Sequence, residues 1–155
     1  MCIRDSVFTD NGESLVYSKD DKLINKKLDG SGSFEYDLKL KSSRGKSPRA
    51  HLNSPWITSL YSENNAIFHL TSSQNEKCGP SSAYSLMRTP SNGGQTVKLS
   101  GKLKKGNCGV VRFGFTEDKK HVIYLSFEEK NGKLGFFKVA SDGNSEAVKL
   151  FDKNY

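Results

Sequence analysis

The sequence has few of the features that would assign it a chemistry. Its 155 residues include only three cysteines, two methionines, one tryptophan and four prolines. Apolar runs stop after a few residues, as at Val122 to Leu125, far short of the roughly 20 needed to cross a bilayer as a helix. No membrane span is expected in this chain. Apolar residues never keep a helical spacing over a long window, which argues against a bundle or coiled coil. There is no Gly-x-Ser-x-Gly elbow, no phosphate loop and no His-Glu-x-x-His, so the hydrolases, nucleotide enzymes and zinc peptidases built on them find no support. The chain reads as non-enzymatic, with no catalytic residue, no metal ligand and no cofactor assigned.

What the sequence does have is turn chemistry. Fourteen glycines and repeated short clusters of Asn, Asp, Ser and Gly are what many tight turns between short strands require. A hydrophobic content of 34% and a charged content of 26% suit a chain that buries a core.

The turns recur in a fixed order, and a repeat at this scale decides the architecture. Phe115 to Tyr124, Leu134 to Val139, Ser141 to Asn144 and Ala147 to Leu150 form one set. Tyr61 to Asn64, Ala66 to Leu70, Ala83 to Arg88, Ser91 to Gly94 and Thr96 to Leu99 form a second. A third runs through Phe8 to Gly12, Ser14 to Tyr17, Leu23 to Leu28, Asp29 to Gly32 and Phe34 to Leu38. The anchors Phe8, Tyr61 and Phe115 keep a nearly constant period. In the last copy the strands are expected at about Val110 to Phe115, His121 to Phe127, Leu134 to Ala140 and Ala147 to Phe151. The continuously apolar second strand implies burial on both faces. The fourth, where Lys149 separates Val148 from Leu150, implies one wet side. Asp-Gly and Asn-Gly pairs tie successive strands antiparallel.

Four-stranded sheets repeated at this spacing are the signature of a propeller. The expected fold is all-β, a fragment of a β-propeller with about three four-stranded antiparallel blades in an arc. Residues 7–40 form a partial blade, 53–100 a blade and 108–152 a blade. A two-sheet sandwich is the alternative. Met1 to Ser6 resembles translated sequencing adapter, with a short genuine strand as the other reading. On the adapter reading the first copy lacks its inner strand, and no signal peptide can be read.

Phe113 to Leu125 together with Phe136 to Leu150 resembles the TolB-type repeat, which runs roughly F-S-P-D-G-x-x-I-x-Y, L-Y-x-V and D-G-G-x-x-x-x-L. Tyr84 to Leu99 is similar to its second half. Lys119 and Lys120 stand where that family often has Gly, and no copy carries the Pro. The resemblance implies a six-bladed propeller related to those of the prolyl oligopeptidase group, and a periplasmic or secreted setting. Its function would be a non-catalytic scaffold that binds a protein or glycan through loops on one face, beside the remaining blades of a longer protein. The alternative is the propeller part of an enzyme, a serine peptidase of that group or a polysaccharide lyase, with catalytic residues outside this chain. Fold alone does not choose between them.

Single residues add little. His69 and His121 fall on second strands and read as satisfied strand histidines, while His51 lies elsewhere in the repeat. Asp10, Glu63 and Glu117 hold equivalent turn positions and read as turn hydrogen bonders. Cys78 and Cys108 fall in connections expected on one face of the propeller, where a disulfide is geometrically open to them and would fit an oxidising compartment. Two separate thiols are the other reading. The net charge of +7 is not organised with exposed aromatics, so a nucleic-acid partner is not expected. Two basic clusters stand out: Lys39, Lys41, Arg44, Lys46 and Arg49, then Lys102, Lys104 and Lys105. Both fall in connections between copies, with no acid inside either span. They are expected to make one face positive and to steer an acidic protein or glycan partner.

Overall fold

The computed structural model describes residues 6–19, 22–37, 57–72, 84–101, 107–128 and 133–153. Two compact units divide the chain, one formed by Met1–Thr71 with Arg88–Thr96 and the other by Ser72–Met87 with Val97–Tyr155. Among the described residues every regular element is a strand. The protein is all-β.

In the first unit β1 (Ser6–Phe8), β2 (Ser14–Lys19), β3 (Lys22–Lys27) and β4 (Ser33–Asp37) form an antiparallel sheet in that order. The first copy therefore has a first strand, contrary to the sequence expectation. Three residues suffice because Phe8 pairs with Leu15 and Ser6 with Tyr17. β5 (Ile57–Glu63) and β6 (Ala66–Ser72) pair as an antiparallel hairpin. Fully buried Val16, Leu23 and Ile67 meet Tyr36 in a core flanked by Val7 and Leu60. Each such aliphatic side chain is worth about 1.5–3 kcal/mol when removed from water, so this cluster joins the first sheet to the β5–β6 hairpin.

The division between units falls inside β7 (Tyr84–Pro90). In the second unit β8 (Val97–Lys98) accompanies β9 (Asn107–Phe115), β10 (His121–Glu128), β11 (Lys133–Ala140) and β12 (Val148–Lys153). The last four form an antiparallel run in sequence order. Tyr84 of β7 meets Gly109 of β9 in parallel. These strands lie within a residue or a few of the limits read from the sequence.

Three hydrogen bonds mark one position in every copy. Leu28 N donates to Glu13 O at 3.0 Å, and Ser91 N to Asn65 O and Ser141 N to Lys120 O at 2.9 Å each. The second strand starts at the next residue each time, at Ser14, Ala66 and His121. Leu15, Ile67 and Val122 therefore correspond, as do Val16, Phe68 and Ile123, and then Tyr17, His69 and Tyr124. The burial of these strands corrects the sequence reading. Only β6 is buried at every described position from Ala66 to Thr71. β2 buries Ser14, Val16 and Ser18, whereas β10 buries Val122, Tyr124 and Ser126, the opposite face of the equivalent strand. Nor does β12 have one dry side, since Val148, Lys149, Leu150 and Phe151 are all exposed. A bulge between Phe136 and Phe137 shifts its register, so Phe136 faces Phe151 while Phe137 faces Lys149.

The aromatic anchor of the middle copy is displaced by one residue. Phe8 pairs with Leu15 and Phe115 with Val122, but the partner of Ile67 is Ser62, with Tyr61 opposite Phe68. Turn length is the cause. Asn64 and Asn65, with φ of 50° and 54°, make a two-residue turn of the kind that needs positive φ at both positions, and the outer copies use longer turns.

Candidate functional site

The first-to-second-strand turns are the most regular polar construction in the protein. In the first copy Thr9 N donates to Ser14 O at 2.9 Å and Gly12 N to Thr9 O at 2.8 Å. The Thr9 hydroxyl lies 2.7 Å from Asn11 Oδ1 and 3.2 Å from Ser14 O, and accepts from Ser14 N at 3.0 Å. Glu13 N donates to Asn11 Oδ1 at 3.1 Å. The third copy repeats each bond. Thr116 N donates to His121 O at 3.0 Å and Lys119 N to Thr116 O at 2.9 Å. The Thr116 hydroxyl lies 2.6 Å from Asp118 Oδ1 and 3.2 Å from His121 O, and accepts from His121 N at 3.1 Å. Lys120 N donates to Asp118 Oδ1 at 3.1 Å. These bonds hold the Asp118 carboxyl below the usual carboxylate range, the Thr116 hydroxyl first and the Lys120 amide second. The turn acceptors are thus Asn11 and Asp118, one residue beyond the expected Asp10 and Glu117. A Thr followed two residues later by Asn or Asp was the signal for them.

Asp10 has a different task. Its backbone N–H donates to Ser62 Oγ at 2.9 Å, and its Oδ2 accepts from Asn65 N at 3.1 Å. It therefore links the turn of the first copy to the β5–β6 turn. On the same unit Asn25 Nδ2 and Tyr36 OH both donate to Ser91 O, at 2.7 and 2.9 Å. Ser91 Oγ in turn donates to Asn65 O at 2.9 Å. Among the described residues Asn25 Oδ1 has no hydrogen-bond partner, though it is buried.

His69 is the one fully buried titratable ring among the described residues. Nδ1 lies 3.0 Å from Thr71 Oγ1 and Nε2 lies 3.0 Å from Thr89 Oγ1, with Thr96 Oγ1 2.8 Å beyond. Burial lowers its pKa to about 3, so the ring is neutral at ordinary pH. Both nitrogens are occupied by hydroxyls, and neither is open to a metal or a substrate proton without breaking a bond. Tyr124, at the equivalent position, stacks on Phe137 with centroids 5.1 Å apart and donates to Ser100 O at 3.3 Å. Burial raises its pKa to about 12.

The basic residues singled out in the sequence, Lys39, Lys41, Arg44, Lys46, Arg49, Lys102, Lys104 and Lys105, lie outside the described residues, as do Cys78, His51 and the side chain of Cys108. Among the described residues no helix is long and apolar enough to cross a membrane, and no cluster of three His, Cys, Asp or Glu could hold a metal ion.

No protein-family model matches the sequence, and neither does any curated protein. Solved structures do. A complex of KlAtg21 with the coiled-coil of AgAtg16 superposes with a TM-score of 0.52 at 14% identity, over 97% of this chain and 41% of that one. Oligogalacturonate lyase in complex with manganese, a propeller enzyme, superposes with the same TM-score at 8% identity, over 97% of this chain and 53% of that one. The fold is that of β-propeller repeats. At these identities the likeness speaks for fold alone, and the chain spans about half the length of these neighbours or less.

Proposed function

We propose that the chain is a propeller scaffold that binds an acidic protein or glycan partner through the loops joining its strands, and contributes no catalytic residue of its own. What supports this most is the use made of its polar side chains. Thr9, Asn11, Thr116 and Asp118 close turns, His69 is held between two threonines, and Asp10, Asn25 and Tyr36 tie the first sheet to the second copy. A frame fixed in this way leaves recognition to the connections. The basic residues of 39–49 and 102–105 provide the attraction, effective over roughly 8 Å at physiological salt. The TolB-type resemblance adds a periplasmic or secreted setting, with further repeats of a longer protein as neighbours. The solved neighbour in complex with a coiled-coil fits a protein partner.

A second reading is favoured by the likeness to oligogalacturonate lyase: the chain is the propeller part of an enzyme, a polysaccharide lyase or else a serine peptidase, whose reacting groups lie outside it. One experiment tests the first. Polygalacturonate and polyglutamate are titrated at low and high salt against the protein and against a variant with Lys41, Arg44, Lys46, Lys102 and Lys104 replaced by Ser, while ultraviolet absorbance is followed for unsaturated sugar product. Salt-sensitive binding that the variant loses, with no new absorbance, is the expected result. Product formation would place reacting groups within the chain and overturn the first reading. Binding of equal strength by both proteins removes the basic loops from the proposal.

A further inference from the structure

The three bonds that Leu28 N, Ser91 N and Ser141 N donate also align the turns after the third strands. Asp29, Asn92 and Asp142 correspond, each followed by a glycine at positive φ, Gly30, Gly93 and Gly143. In the outer copies two bonds close the turn. Asp29 Oδ1 accepts from Ser31 N at 2.8 Å and Asp142 Oδ1 from Asn144 N at 2.9 Å. Gly30 N donates to Lys27 O at 3.3 Å and Gly143 N to Ala140 O at 3.2 Å. The middle copy makes neither bond: among the described residues the Asn92 side chain and Gly93 N have no hydrogen-bond partner, and Asn92 is exposed.

An asparagine followed by glycine is open to attack by the main chain on its own side-chain amide, because glycine has no Cβ to obstruct the approach. The sequence has three such pairs. Asn131–Gly132 lies outside the described residues. Asn11–Gly12 is as exposed as Asn92, but it is tied at every polar atom the reaction uses. Asn11 Oδ1 lies 2.7 Å from the Thr9 hydroxyl and accepts from Glu13 N at 3.1 Å, and Nδ2 donates to Glu13 Oε2 at 2.9 Å. Gly12 N, the nucleophile of that pair, donates to Thr9 O at 2.8 Å. The same dipeptide is thus held in one turn and unheld in another.

We infer that Asn92 is a site of spontaneous modification by its own main chain. Gly93 N gives up its proton to solvent and bonds to Asn92 Cγ, the Cγ–Nδ2 bond breaks, and ammonia leaves a succinimide behind. Water then opens the ring at either carbonyl. One product is aspartate, the residue that both outer copies carry at this position. The other is isoaspartate, in which the main chain runs through the former side-chain carbon and is one atom longer. Both exchange a neutral amide for a carboxylate, so the net charge of +7 falls by one unit. The change lies next to Ser91, whose carbonyl receives Asn25 Nδ2 and Tyr36 OH and whose Oγ donates to Asn65 O. It does not depend on the partner-binding reading.

The test is peptide mapping of the whole chain aged in mildly alkaline buffer, folded and in concentrated urea. Mass spectrometry follows the replacement of –NH2 by –OH at Asn11 and at Asn92 in separate peptides. In the folded chain Asn11 reacts only after several hydrogen bonds open, each of modest net worth, and together they raise its barrier enough to slow it about tenfold or more. Asn92 is therefore expected to convert at least about tenfold faster than Asn11 when folded. In urea, where the turn bonds are gone, the two rates are expected to draw together. Equal rates in the folded chain, faster conversion of Asn11, or a ratio that urea leaves unchanged would each overturn the inference.

Discussion

Lys119 has the backbone conformation of Gly12: its φ is 57° where that of Gly12 is 71°, and both amides donate to the carbonyl of the threonine three residues earlier. The third copy thus reaches the left-handed conformation without glycine, at a cost of roughly 1–2 kcal/mol for a residue with a Cβ. Part of this is offset by the Lys119 ammonium, 5.6 Å from the centroid of Phe115, a contact worth about 0.5–1 kcal/mol at an exposed site.

Gly12→Ala is accordingly expected to lower stability by about 1 kcal/mol through backbone strain alone, since nothing lies within 4 Å of the added Cβ. Lys119→Gly should raise stability by a few tenths of a kcal/mol, the conformational relief exceeding the lost cation–π contact. Urea midpoints of the two variants check both signs.

The threonine of each turn accepts one amide and sits against two further oxygens, so an isosteric valine strands several partners at once. Thr116→Val and Thr9→Val should each cost about 1–3 kcal/mol. The loss should be larger for Thr9, which is buried, than for half-buried Thr116, where water can replace the hydroxyl. Chemical denaturation of the two variants side by side gives the order.

His69 makes stability depend on pH with a definite sign. Its pKa is near 3 when folded and returns to about 6.5 when unfolded, so between these values the unfolded chain holds a proton that the folded chain does not. Stability should fall as pH drops below about 6.5, by up to about 1.4 kcal/mol per unit, and this contribution should level off near pH 3. His69→Gln should flatten the slope between pH 4 and 6. The carboxyl of Asp118, whose pKa is lowered, adds its loss only below the ordinary carboxylate pKa, as pH falls toward its folded value. The two are therefore separable by unfolding curves taken across the range.

Two glycines of the third copy separate packing from backbone conformation. An added Cβ on Gly135 would lie 2.8 Å from Phe137 Cε2, in the ring that stacks on Tyr124, while Gly114 has nothing within 4 Å. Gly135→Ala is expected to cost about 1–3 kcal/mol by overpacking, and Gly114→Ala to be close to neutral. Thermal midpoints and near-ultraviolet dichroism of the aromatic rings report the difference.

The strand order was readable because Gly, Asn and Asp mark the turns, and positions such as Gly30, Gly93 and Gly143 take the positive φ their turns demand. What a repeat leaves open is which face of each strand finds cover. Val122 to Leu125 reads as buried throughout, yet Ile123 and Leu125 are half-buried, because burial depends on the neighbour present and not on the strand's own composition. The aromatic anchors misled by one residue at Tyr61 for a similar reason: turn length sets register, and the two-residue Asn64–Asn65 turn is shorter than its counterparts. At the candidate site, the satisfied state of His69 was legible from its place in an apolar strand. Its threonine partners were not, since Thr89 is 20 residues away along the chain.

Each of the three copies pairs its own first and second strands antiparallel. Cross-strand nuclear Overhauser effects on isotopically labelled protein report these pairings. Contacts are expected between Phe8 and Leu15, Ser62 and Ile67, and Phe115 and Val122, the pairs seen in the three copies. Contacts that instead joined these strands across copies, as in two sheets packed face to face, would overturn this pairing.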